Sequence, residues 1–350
     1  MQSSTTARAE RNSRPAAGRI GPAPEQPLPP GVELPGWQKQ MAALMFLRDS
    51  KAFVGQQVQR VGPMFTVRAL GSPTVVVTGH ENIEWLLTAG MECVTWRDGW
   101  PPNVPELMGN VLFLQDGETH RMKRRLLLSA FTRKAMEGYL PRIEAYTVRH
   151  LEQWSGERSF EWEPRICRLT FEVASDLMLG TEPGDGDHLA QAFADLTAGF
   201  SALPLKIPGT TYHRGFKGRR VLLEHLDKAV RRRMQNLTDD ALSRLIQGRD
   251  YDGNSLSFEE LKDQSLFLLL AGHDTTASLM TSLVYRLGNH PEVFEKARRE
   301  QLDLDISGPL TMEQLKKMKY LDQVLKETER MHPPVPIGFR GATQEFELGG

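Results

Sequence analysis

The pattern of apolar and polar positions changes character along the chain. Phe65-Thr-Val-Arg-Ala-Leu-Gly71 and Thr74-Val-Val-Val-Thr-Gly79 are short runs rich in β-formers, joined through Ser72-Pro73. Two such runs punctuated by Gly and Pro predict a β-hairpin. A helix is expected before it, over Gly36–Gln59, and another after it, over Glu81–Leu87. Residues 90–113 carry Trp96, Trp100, Pro101, Pro102 and Pro105 and read as a long irregular loop of the kind that often serves function. From Asp116 the spacing turns helical, with breaks expected at Pro141, Gly156, Gly180–Gly186, Pro204–Gly209 and Gly248–Gly253. The expected fold is mainly α with one small β-sheet near the start.

Two helices have clear limits. Ser257-Phe-Glu-Glu260 is a capping box, and the helix it opens runs without Pro to Asn289, where Gly288-Asn-His-Pro291 stops it. Its length is ~32 residues, or ~48 Å at the rise of an α-helix. The middle, Leu266-Phe-Leu-Leu-Leu-Ala271, is apolar on all sides and is expected to be buried all round. A second helix is expected over Tyr320–Met331, ending at His332-Pro-Pro334, with a capping box at Thr311-Met-Glu-Gln314 before it.

Composition narrows the class. With 350 residues, 43 basic and 44 acidic, the formal charge is −1, which argues against a nucleic-acid-coating role. Two cysteines cannot build a disulfide framework or a four-cysteine zinc site, so a cytoplasmic, reducing setting fits best. Residues 1–36 hold seven of the 22 prolines and no long apolar block, and read as a disordered Pro-rich leader rather than a signal peptide or membrane anchor.

Four segments could carry chemistry. Ala271-Gly-His-Asp-Thr-Thr276 places Gly, an acid and hydroxyls inside an apolar helix, which is unfavourable unless a local opening or proton path is needed. A satisfied polar patch at a helix crossing would look the same. His273 and Asp274, being adjacent on a helix, point to different faces and make a poor metal pair. Glu327 and Arg330 share a helix face and by themselves read as a surface ion pair. His120 and Arg124, one turn apart, could grip carboxylates or phosphates, or form part of a solvated basic face. Arg340 sits in an extended run, Pro334-Val-Pro-Ile-Gly-Phe-Arg340.

Taken in order, these segments resemble the cytochrome P-450 superfamily, the haem-thiolate monooxygenases. Ala271-Gly272-X-Asp274-Thr275-Thr276 is similar to the oxygen-binding stretch of the family's long helix. Glu327-X-X-Arg330 resembles its Glu-X-X-Arg helix, with Pro333-Pro334 following. Phe339-Arg340 through Gly349 looks like the next strand, and His120-X-X-X-Arg124 like the helix that holds the haem propionates. The resemblance spans roughly residues 27–350, so residues 37–350 are expected to form one domain of that fold, incomplete at the C-terminus.

The resemblance implies haem b with its iron, O₂, and electrons from NAD(P)H through a ferredoxin or flavodoxin and its reductase. It implies Asp274 as proton relay and Thr275 as hydrogen-bond partner of the reacting oxygen or an ordered water. Ala271 and Gly272 leave room, His120, Arg124 and Arg340 pair with the propionates, and Glu327 and Arg330 are structural. Arg121, Lys123, Arg125, Lys316, Lys317 and Lys319 could form a docking face for the electron donor. An apolar substrate is implied, with wording closest to the retinoid- and isoprenoid-hydroxylating branch and its soluble bacterial relatives. One departure stands out. The family's axial cysteine follows the Glu-X-X-Arg helix, and no cysteine follows Arg330. Cys93 and Cys167 lie far upstream in the wrong contexts, so the axial Cys is absent from this chain and the sequence reads as a fragment. The alternative is a non-catalytic helical remnant that binds an apolar ligand.

Overall fold

The computed structural model describes residues 28–31, 45, 49–69, 72–181 and 186–349. Most of the expected leader, the first part of the helix expected from Gly36 and the hairpin tip at 70–71 lie outside the described residues. The chain divides into two compact units, Met1–Glu92 with Phe346–Gly350, and Cys93–Glu345.

In the smaller unit, α1 (Ser50–Val61) is opened by Asp49, whose carboxylate accepts from the Ala52 amide at 2.9 Å. Strands β1 (Met64–Ala69) and β2 (Ser72–Val77) pair antiparallel with Phe65 opposite Val76. Ser72 and Pro73 belong to the second strand rather than to the turn. Pro73 lacks an amide hydrogen, which a two-stranded ribbon tolerates because every strand in it is an edge. Phe53, Phe65 and Val67 form a small core, and α2 (His80–Leu87) follows.

The larger unit is helical. After β3 (Val94–Thr95) come α3 (Asn103–Met108), α4 (Gly117–Leu128), α5 (Arg133–Ser155), α6 (Trp162–Leu179), α7 (Gly186–Ala198), α8 (Thr211–Gln235) and α9 (Ala241–Gln247). The long α10 (Phe258–Asn289), α11 (Pro291–Asp303), α12 (Met312–Leu315), α13 (Lys319–Met331) and β4 (Gly341–Ala342) complete it. Both capping boxes form: Ser257 with Glu260, and Thr311 with Gln314. Against burial, which pushes its carboxyl up, Glu260 is held low by the Lys123 ammonium at 2.8 Å and by the Ser257 donors. This ties α4 to the start of α10 and buries Lys123 to 3% exposure, so Lys123 cannot belong to a docking face.

α10 runs along α6, burying Leu266, Leu269, His273 and Ala277 at helical spacing. Leu266 and Leu269 feed a core with Leu107, Phe171, Phe193 and Leu222, while Leu268 joins a second with Leu126, Tyr139, Leu177 and Val230.

Several expectations need correction. The apolar centre of α10 is not buried all round: Phe267, Leu270 and Ala271 are only half-buried, and with exposed Asp274 and Ser278 they form one open stripe. α5 does not break at Pro141. The lost backbone bond is offset by burial of Tyr139 and Leu140 on one side of Pro141 and of His150 and Trp154 on the other. The loop 90–113 contains α3, and a second small sheet exists, with β3 antiparallel to β4. The stretch 339–349 forms only the two-residue β4. Among the described residues no helix is long and apolar enough to cross a membrane.

Candidate functional site

Phe267, in the open stripe of α10, meets one end of a group of aromatic and cationic residues that distant segments bring together. Asp116 precedes α4 in extended backbone, and its carboxylate is spent on the preceding loop. It accepts from the Thr95 hydroxyl and from the Trp96 amide at 2.9 Å. Thr95 in turn pairs with Gly341 across β3 and β4, which brings Arg340 to Trp96. The Arg340 guanidinium carbon lies 3.0 Å from the indole centroid. A side chain at Gly99 would put its Cβ 2.5 Å from the Arg340 backbone, so this approach requires glycine there.

Trp100 continues the arrangement, 5.0 Å from the Phe113 ring and 5.1 Å from Phe339. Phe113 then meets Phe267 of α10 at 5.4 Å. These contacts connect the loop, the segment before β4 and the open stripe. The Trp100 indole Nε1 is buried and has no acceptor among the described residues.

The electrostatics at this end are one-sided. The side chains of His120 and Arg124 make no hydrogen bond or ion pair among the described residues. Burial and then the Arg124 charge lower the His120 pKa, opposed by Asp116. Burial likewise lowers that of Arg340, again opposed by Asp116. Asp116 therefore lies within electrostatic reach of both, and its own oxygens are occupied. Arg124, without an acceptor among the described residues, and Arg340, whose Nη1 donates only to the adjacent Phe339 carbonyl at 2.8 Å, make a place for an anion, with His120 as a further donor.

On α10 the Thr275 hydroxyl donates to the Ala271 carbonyl at 2.6 Å. Half of the Asp274 side chain is open, yet the surrounding helices strip enough water to push its pKa up to about 6. His273 turns inward, as neighbouring positions on a helix should, and its Nδ1 lies 2.8 Å from the Thr170 hydroxyl of α6. Its Nε2 still comes within 3.4 Å of Asp274 Oδ1. A Cβ at Gly272 would meet only Ala174, at an ordinary 3.9 Å, so helix packing does not require glycine there. Glu327 and Arg330 pair with each other at 2.6 Å on an exposed face of α13.

A cationic end and an aromatic wall that reaches the helix carrying the polar interruption suit a flat apolar group that carries carboxylates. The family model of cytochrome P-450 matches residues 30–350. The chain belongs to the cytochrome P-450 family. It is 37% identical to a putative cytochrome P-450 120 of Synechocystis over 93% of this chain and 72% of that protein. It is 33% identical to chicken cytochrome P-450 26A1 over 96% of this chain and 71% of the relative. A solved structure described as retinoic acid-bound cyanobacterial CYP120A1 superposes with a TM-score of 0.84 at 35% identity, covering 93% of this chain and 74% of that one. Enzymes of the cytochrome P-450 family are haem-dependent monooxygenases that use O₂ and take electrons from NAD(P)H through redox partners.

The residues present fit the haem periphery. Arg124 and His120, which make no pair among the described residues, and the buried Trp100 Nε1, which has no acceptor among them, are donors that carboxylates would satisfy. Burial disfavours a thiolate at Cys167. Cys93 Sγ takes a contact from Gln344 Nε2 at 3.0 Å beside β3, and burial followed by Glu163 pushes the Cys167 thiol up. Composition and spacing singled out neither Thr95 nor Asp116, Gly99 or Thr170. Asp116 before Gly117 carries a helix-start signal, but nothing in sequence says that its oxygens are used on a loop 20 residues upstream.

Proposed function

We propose that this cytochrome P-450 inserts oxygen into a C–H bond of an apolar carboxylate of the retinoid or related isoprenoid class. The observation that carries this reading is the likeness over 93% of the chain to a structure described as holding retinoic acid. The aromatic wall of Trp100, Phe113, Phe267 and Phe339 is consistent with such a guest. Haem, when bound, would supply the activation of O₂. This chain's residues supply position, dryness and protons. His120, Arg124 and Arg340 would hold the propionates, with Trp100 Nε1 as a further donor. Ala271 and Gly272 would keep the helix surface low over the pocket. Asp274, with its pKa near neutrality, would pass protons inward, and Thr275 would turn its hydroxyl from the Ala271 carbonyl to receive them. Glu327 and Arg330 would act structurally.

Neither cysteine is assigned as axial ligand, so the thiolate would come from outside residues 1–350. Electrons would come from a ferredoxin or flavodoxin in the cytoplasm, docking at exposed Arg121, Arg125, Lys316, Lys317 and Lys319. The test is optical titration of the haem-loaded complete protein with retinoic acid and with a saturated fatty acid of equal length. A high-spin shift at micromolar retinoic acid and a weaker response to the fatty acid are expected. A stronger response to the fatty acid would overturn the substrate assignment.

A further inference from the structure

His273 and Thr170 have no part in the reading above, although both are buried where α6 packs along α10, at 8% and 6% exposure. His273 is clasped edge-on by Phe171 at 5.6 Å and by Phe193 of α7 at 5.3 Å, which fixes its ring plane. Its Nδ1 meets the Thr170 hydroxyl at 2.8 Å, and its Nε2 lies 3.4 Å from Asp274 Oδ1, an ion-pair contact that rotation of the half-open carboxyl would turn into a hydrogen bond. The Thr170 hydroxyl has further acceptors in its own helix, the Ile166 carbonyl at 3.0 Å and the Cys167 carbonyl at 3.3 Å. One hydroxyl hydrogen can therefore go to the imidazole or back to its own helix.

We propose that Thr170 and His273 form a tautomer-switching pair that keeps the Asp274 carboxyl positioned in both of its protonation states. When Asp274 is ionised, Thr170 donates to Nδ1, the imidazole carries its hydrogen on Nε2, and Nε2–H points at Asp274. When Asp274 is protonated, Thr170 donates to the Ile166 carbonyl and accepts from Nδ1–H, and the bare Nε2 accepts from the acid. Each state leaves the imidazole with one hydrogen. Passing from the first to the second moves that hydrogen from Nε2 to Nδ1 and adds one proton at Asp274. His273 is thus a positioning residue and Thr170 its anchor.

The surroundings suit this role. Burial alone lowers the His273 pKa to about 4, so the ring is neutral and free to exchange tautomers at working pH. Burial alone also accounts for the rise at Asp274, with no neighbouring charge contributing. The titratable groups facing the pair from α6 are Cys167, which feels Asp274, and Glu163 beyond it. From α7 the facing group is the uncharged Phe193.

This inference deepens the proton role assigned to Asp274 and rests on it for its functional meaning, but its test does not. Asp274 is titrated in the haem-loaded complete protein by pH-difference infrared spectroscopy with carbon-13-labelled aspartate, D274N identifying the band. In Thr170→Val the buried Nδ1 loses its partner, an empty lone pair costs less than an orphaned N–H, and the ring is locked as Nε2–H. The Asp274 midpoint should then fall by about half a pH unit or more. Thr170→Ser should restore the wild-type midpoint. In His273→Phe the ionised carboxylate loses its donor, and the midpoint should rise by a similar amount. Wild-type midpoints in both T170V and H273F would overturn the proposal, and should T170V fail to fold, H273F alone decides. The proton role is read separately, as coupling of electron use to product in D274N. Unchanged coupling would sink that role while leaving the positioning result to stand or fall on the infrared midpoints.

Discussion

His273 has a pKa lowered from 6.5 to about 4 because burial disfavours its charged form. The folded state therefore binds fewer protons than the unfolded chain between these values. Stability from this group is whole above pH 6.5 and is lost as pH falls toward 4. The full shift is on the order of 3 kcal/mol for so buried a group. His273→Leu should remove this dependence. Urea midpoints at pH 7 and pH 5 should differ less in the variant than in the wild type, and an equal difference would mean that the imidazole titrates freely. Asp274 has the opposite sign. Its raised pKa makes the ionised form unfavourable in the fold, so the carboxyl is a liability above about pH 6 that eases as pH falls. Such a cost on an open helix face is consistent with the proton role proposed for Asp274.

At the scale of elements, α7 and α8 meet through Gly218, where a Cβ would collide with the carbonyl oxygen of Ala192. Gly218→Ala must push the helices apart and should cost ~2 kcal/mol, read as a lower denaturation midpoint. A change within ~0.5 kcal/mol would show that the contact relaxes freely. The helices themselves were largely legible. Ser257 with Glu260 and the Pro291 stop mark the ends of α10 to within a residue, and Gly180 ends α6 in a left-handed conformation. The pairing of β3 with β4 was not, because two-residue strands have no period to read. Burial within α10 was misjudged for a related reason. An all-apolar stretch cannot say which of its faces meets protein and which is left for a ligand. The segments of the candidate site were visible as motifs, whereas the supports at Thr95, Asp116 and Gly99 are set by tertiary approach and leave no local trace.

For the molecule as a whole, the segments proposed to surround the haem come together in one unit, and neither cysteine is assigned as the ligand of its iron. The two thiols differ: Cys167 is raised by burial, and Cys93 stands near the loop with Gln344 against it. Residues 1–350 reconstituted with haem, reduced and exposed to carbon monoxide should give no thiolate-type Soret band. Such a band, abolished by Cys93→Ser or Cys167→Ser, would identify a ligand where none is expected.

The short β3–β4 pairing carries a consequence for how the chain matures. Thr95 and Gly341 are about 250 residues apart, so their meeting closes one of the longest loops in the fold and pays that entropy for a handful of hydrogen bonds. Contacts of this kind form late, after the local helices have condensed. On the ribosome, His120 and Arg124 emerge and take up their helix long before Arg340 exists to complete the cationic end. The approach of Arg340 to Trp96 must await the arrival of the strand that pairs with Thr95. Folding of the cationic end is thereby timed by a pairing far along the chain rather than by the helix that carries His120 and Arg124.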